Sequence, residues 1–190
     1  MIDPSSDERA TGSTIRHPVA VNGPITVVPY NPTWPTQYEH AAANILAALG
    51  NRIVSLQHIG STSVPGLPAK PIIDIQLLVE DSADEGAYAT PLEEAGYTLR
   101  IREPEWEQHR LFKGTNPDVN VHVFSRGSQQ SLRHLAFRDR MRDHNDERDL
   151  YAAVKLDLAA RTWAYVQDYA DAKNEVIDQI VARSGLKIQR

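Results

Sequence analysis

The sequence predicts an α/β or α+β protein with its strands in the front half and a helical back half. Between residues 25 and 124, short apolar and β-branched runs alternate with turns and shorter helical stretches. From residue 128 onward, apolar residues recur at helical spacing instead. The chain has 190 residues, 41% of them apolar and 24% charged, a length and balance suited to one domain with a sizeable core.

Residues 1–24 carry much Ser, Asp, Pro and Gly with little periodicity. They read as a flexible N-terminal extension to a single domain spanning 25–185. Residues 25–28 suit a short edge strand ended by Pro29. A helix follows, with Tyr38, Ala42, Ile45 and Leu49 on its apolar face and Gly50 as its C-terminal cap. Residues 53–59 and 72–79 read as strands. In the second, the period of two sets Asp74 and Gln76 on one side and Ile73, Ile75 and Leu77 on the other. Residues 84–95 suit a short helix closed by Gly96, and Tyr97 starts a new extended stretch. A polar loop at 102–108 precedes His109-Arg110-Leu111-Phe112-Lys113. Residues 119–124 alternate, with Val119, Val121 and Val123 opposite Asn120, His122 and Phe124. Helices are predicted over 128–142, 147–160 and 163–182. The last carries a strip of Trp163, Val166, Tyr169, Lys173, Val176 and Ile180, with the lysine stem covering apolar surface. An exposed strip would suit a homodimer, a buried one a monomer.

Composition removes several classes of function. The formal net charge of −5 argues against extended nucleic-acid binding and anionic membranes. With no cysteine there is no disulfide framework, thiolate nucleophile or thiolate metal site. No apolar run approaches the roughly 20 residues that span a bilayer. The N-terminus is acidic and polar where a secretory signal is basic and then apolar, so cytoplasmic residence is expected.

The chemistry concentrates in one crossing between strands, HIGSTSVPGLPAKPIIDI, at residues 58–75. Gly60-Ser61-Thr62-Ser63 can turn backbone N–H groups and three hydroxyls toward an anion, although such a segment also serves as a plain structural turn. It is neither a P-loop nor a dinucleotide fingerprint. Pro65, Pro68 and Pro71 stiffen the return, and Lys70 precedes the strand of Asp74. A carboxylate in so apolar a strand is costly unless it meets solvent, metal or ligand. His122, on a later strand, can join Asp74 in binding a divalent cation or in holding a reacting hydroxyl or water. Asp74, His122 and His58 form a candidate ligand set for Mg, Mn or Zn, while each histidine also suits a structural hydrogen bond. Arg138, Arg142 and Lys155 can present cations to phosphate or form an ordinary solvated face. Arg110, close to the His122 strand, is a further candidate cation.

These pieces resemble the GrpB-like (UPF0157) family, itself similar to the nucleotidyltransferase superfamily. The resemblance covers about residues 25–180. It rests on VVPYNPTWPTQYE, the crossing, Gly96-Tyr97, the segment from Val121 to Phe124, FRDRMRDH, and YAAVKLDLA. It implies a small mixed sheet flanked by helices, with Gly60 and Ser61 as phosphate-binding element and Asp74 as first acid. The second acid position holds Gln76, and the later-strand position holds His122. Those departures weaken a two-magnesium centre, which needs several carboxylates. The resemblance implies transfer of a nucleotidyl group from an NTP to a small-molecule acceptor. Ser61 and Ser63, with Lys70, Arg110 or Arg138, would hold the triphosphate; Asp74 and His122 would bind a metal or orient the acceptor. A non-catalytic nucleotide- or anion-binding module, or another metal-assisted transferase or ligase-like enzyme, are the alternatives.

Overall fold

A computed structural model describes residues 20–186. Its centre is a mixed five-stranded sheet in the order β2 (Ser55–Ile59), β3 (Ile73–Val79), β6 (Val119–Ser125), β5 (His109–Gly114) and β4 (Thr98–Glu103). All neighbours are antiparallel except β3 and β6, which run parallel because the β4–β5 hairpin and helix α2 (Ala89–Glu94) lie between them in the chain.

The alternation along β3 and β6 makes the sheet two-sided. Ile73, Ile75, Leu77, Val119, Val121 and Val123 pack with Phe112 against Trp34, Ala41, Ile45 and Leu49 of helix α1 (Trp34–Leu49), and against Tyr88 and Leu92. Each such side chain contributes about 1.5–3 kcal/mol when fully buried. The opposite face carries Asp74, Gln76, Asn120 and His122, which the register sets side by side: Asp74 beside Asn120, Gln76 beside His122.

The helical half covers that polar face. Helices α3 (Gln129–Asp143), α4 (Asn145–Ala160), α5 (Val166–Asp171) and α6 (Asn174–Arg183) follow one another. Val64 and Leu67, from the crossing, are buried with Met141, Tyr151 and Ile180, so the crossing is itself part of the helical core. The Glu147 carboxylate ties three helices together by accepting from Arg140 and Arg183.

Several sequence boundaries shift. Of the extension, residues 1–19 lie outside the described residues, but Ala20–Gly23 form a strand, β1. It pairs with β7 (Trp163–Tyr165), a strand where continuous helix was predicted. The expected strand at 25–28 reduces to a single bridge between Val28 and Ala69. The stretch 163–182 divides into β7, α5 and α6, because pairing with β1 takes its first residues. Its apolar strip is used inside the chain, with Tyr169 and Ile180 buried. The helix expected at 84–95 is a 3-10 turn followed by the short α2.

Candidate functional site

Asp74 stands near the start of β3, on the polar face, where the crossing folds back over it. Gly60 adopts φ 68° and ψ −174°, a conformation open to glycine and strained for other residues. A Cβ there would lie 2.5 Å from Asp74 Oδ2, so the bare glycine backbone is what lets the carboxylate sit against the turn. The other oxygen, Oδ1, accepts from Asn120 Nδ2 at 2.8 Å, and Lys113 Nζ donates to Asn120 Oδ1 at 3.2 Å. His122 Nε2 is 3.7 Å from Asp74 Oδ1. Burial pushes the Asp74 carboxyl up, but His122, Asn120 and Lys173 together hold it below its ordinary value.

Lysines gather around Asp74. Lys155, on α4, is 3% exposed and donates from Nζ to Ser61 Oγ at 2.8 Å and to the Pro68 carbonyl at 2.6 Å. Burial and the charge of Lys173 pull its pKa to about 7, against the opposing pull of Asp74. Lys173 lies between α5 and α6 with its ammonium 4.3 Å from the centre of the Tyr169 ring. Burial and Lys70 bring its pKa to about 8. Lys70 is also lowered by burial and by Lys113, and Asp74 again opposes the shift. The Tyr169 hydroxyl, in the same part of the fold, is buried and has no hydrogen-bond partner among the described residues.

A second group of side chains leads away from Asp74 beneath the sheet's polar face. His122 Nδ1 lies 3.1 Å from His109 Nε2, and His109 Nδ1 lies 2.7 Å from Glu103 Oε2. His109 is stacked on Phe124 and edge-on to Trp106. His134, on α3, is 3.1 Å through Nδ1 from Gln76 Oε1, and Gln76 Nε2 donates to Ser131 Oγ at 2.7 Å. Gln76 is thus a buried clip between β3 and α3, which explains why the second acid position carries a neutral amide.

The structure brings Gly60, Ser61, Lys70, Asp74, His122 and Lys155 near one another and separates the others. His58 faces the opposite side of the sheet, stacked at 4.7 Å on Tyr38 with Nε2 3.1 Å from Thr62 Oγ1, because its register partner is the core residue Ile75. The ligand set Asp74, His122 and His58 is therefore not assembled. Among the described residues no group of three or more His, Asp or Glu is placed to hold a metal ion. Arg110 also lies on the far face, paired across the strand with Val123 and bonded to Glu85 at 2.5 Å. Arg138 holds the edge of β2 through the His58 carbonyl and Gln57. The Thr62 and Ser63 hydroxyls turn inward to the Ile72 and Gly60 carbonyls, and Arg142 clasps the Ser63 carbonyl, so this half of the turn is structural.

Sequence reading missed four residues of the site. Lys173 was visible as the one cation in an apolar strip. Glu103, His109 and His134 needed the register of β4 with β5 and the docking of α3, which no local pattern contains.

This arrangement is an α/β fold whose sheet carries Asp74, His122, His109 and Glu103 on one face, with Lys70, Lys155 and Lys173 near Asp74. Residues 24–183 match the family described as GrpB protein. The UPF0157 protein BH1888 of Halalkalibacterium halodurans is 49% identical over 95% of this chain and 93% of its own length. The crystal structure of conserved protein GrpB from Enterococcus faecalis is similar with TM-score 0.74 and 31% identity, covering 84% of this chain and 96% of that one. A dephospho-CoA kinase of Mycobacterium bovis is 31% identical over 79% of this chain but only 43% of its own length. The chain belongs to the GrpB family. No helix among the described residues is long and apolar enough to cross a membrane.

Proposed function

We propose that this protein binds a nucleotide by its phosphates in the cleft around Asp74 and transfers the nucleotidyl group to a small-molecule acceptor. The observation that carries the binding step is Lys155. A cation that is 3% exposed is costly against neutral partners, and its partners here are a hydroxyl and a carbonyl. An anionic ligand offsets that cost, and Lys70 and Lys173 add two further positive charges beside the same acid. Ser61, already oriented by Lys155, is the hydroxyl best placed to contact the same phosphate. Asp74 and His122 then face the acceptor.

Titration calorimetry with ATP, GTP, CTP, UTP, dephospho-CoA and inorganic pyrophosphate tests this, each with and without Mg²⁺, Mn²⁺ or Zn²⁺. Binding of at least one nucleotide is expected; no binding of any phosphate compound overturns the reading. Dephospho-CoA is included because a relative acts on it by name. Binding should weaken from neutral to alkaline pH, as Lys155 and Lys173 lose the charge that the phosphate requires, with pKa values of about 7 and about 8. Proton uptake on binding above neutrality is the direct signature, read from the dependence of the heat on the buffer's ionisation enthalpy. Lys155→Met should weaken binding by about tenfold or more, the loss of one charge-assisted hydrogen bond to phosphate.

The second reading, a binding module without turnover, draws on Gln76 and Asn120. Where a two-metal transferase needs further carboxylates, this site has neutral amides already committed to hydrogen bonds. Nucleotide bound and released unchanged, over a range of acceptors, would favour it.

A further inference from the structure

A chain of short contacts behind His122 couples its tautomer to Glu103 through His109. Glu103 and His109 are direct cross-strand partners on β4 and β5, and both are nearly buried. An ionised carboxylate only accepts, so His109 Nδ1 at 2.7 Å is the donor to Glu103. When His109 is neutral its Nε2 is unprotonated and accepts from His122 Nδ1 at 3.1 Å. In that state His122 donates through Nδ1, and its Nε2, 3.7 Å from Asp74 Oδ1, is unprotonated until it takes up the proton that pairs it with Asp74. Two acceptors so placed, each about a quarter exposed, call for a proton donor between them. Phe124 and Trp106 hold the His109 ring in the plane that this chain requires.

We propose that His122 Nε2 is the general base for an acceptor hydroxyl or amine bound beside Asp74, with Glu103 and His109 as positioning residues that fix its tautomer. The inference rests on the transfer reading given above. In the step, the acceptor's O–H or N–H bond breaks and its proton moves to His122 Nε2. The freed electron pair forms a bond to the α-phosphorus of a nucleoside triphosphate, and the bond to the bridging oxygen breaks. Pyrophosphate leaves with that electron pair, beside Lys155 and Lys173. The resulting imidazolium is stabilised by Asp74 on one side and, through His109, by Glu103 on the other. The logic matches any base oriented by a buried acid.

The test is ¹⁵N-histidine NMR of the full chain, at a pH where the imidazoles are neutral, with the His122 signals assigned by their loss in His122→Gln. His122 is expected to show a pyrrole-type Nδ1 and a pyridine-type Nε2, the reverse of the form favoured by free imidazole side chains in water. Glu103→Leu removes the acceptor and should shift His122 toward the Nε2–H form. Glu103→Gln, which keeps a carbonyl acceptor, should restore the wild-type pattern. A wild-type His122 protonated on Nε2 overturns the proposal, whether or not the Leu variant folds. Pyrophosphate release from bound NTP, with water as acceptor, should fall by about 10²–10⁴-fold in His122→Gln while nucleotide Kd stays within tenfold. An unchanged rate also overturns it. Nucleotide affinity is read separately by calorimetry, so failure of the binding reading and failure of the base are distinct results.

Discussion

Gly60→Ala is expected to disable the site more completely than any other single methyl group added to this protein. Two costs coincide at that position. At φ 68° and ψ −174° an alanine pays backbone strain of about 1–3 kcal/mol. Its Cβ would also fall 2.5 Å from Asp74 Oδ2 and 3.0 Å from Asp74 Cβ, closer than unbonded atoms tolerate. Relief requires the carboxylate to swing away or the turn to open. Swinging breaks the hydrogen bond from Asn120 and the approach of His122; opening moves Ser61 off Lys155. Either way a phosphate ligand loses its cradle, and binding should fall by at least two orders of magnitude, with the denaturation midpoint lowered as well. A double-mutant cycle with Asp74→Ala locates the cause. Removing the carboxylate takes away the nearest clash, so the stability cost of Gly60→Ala should shrink by about 0.5–3 kcal/mol in that background. Strict additivity would place the whole effect in backbone strain and would contradict the packing of Asp74 on the turn.

Acid lability is the second large effect. Burial, reinforced by Arg142 and Arg138 and opposed by Asp74, brings the His58 pKa to about 4. Burial, followed by His122 and His109, brings His134 to about 3. Both stay neutral in the folded chain, whereas in the unfolded chain they take up protons below about 6.5. Between that value and about 4 the unfolded state therefore binds more protons, so stability rises with pH and is lost on acidification. Two such groups give a slope of roughly 2–3 kcal/mol per pH unit in that window. Urea midpoints measured from neutrality down through that window check it, and a flat profile contradicts it. His58→Gln and His134→Gln should each reduce the slope by about one proton. His58→Gln keeps a group able to bond Thr62, and His134→Gln one able to bond Gln76, so the slope can change without the fold being lost.

The two predictions meet in the crossing at 58–75, and it divides cleanly into what was legible and what was not. Gly60, Asp74 and the alternation of β3 were readable, because a strand's period of two assigns faces from sequence alone. That same period, applied to His58, depends on how β2 pairs with β3. The pairing sets His58 opposite Ile75, and so on the face away from Asp74. Arg110 fails for the same reason, since its partner is Val123 of the core. Gln76 looked like a weakened metal ligand and is a buried bridge to Ser131 and His134, residues more than fifty positions later in the chain. The lysines near Asp74 come from the crossing, α4 and the α5–α6 junction.

By itself the sequence determined the family, the mixed α/β class, the position of the polar crossing and the one acid at its end. Local periodicity and a long, specific motif are properties of neighbouring residues, and they survive without knowledge of the fold. Tertiary structure alone decided which side chains lie together: Lys173 near Asp74, the His122–His109–Glu103 chain, and the placement of His58 and Arg110 on the other face. Those contacts depend on strand register and on helix docking. A shift of one residue in register reverses every face, and docking joins residues with no pattern in common.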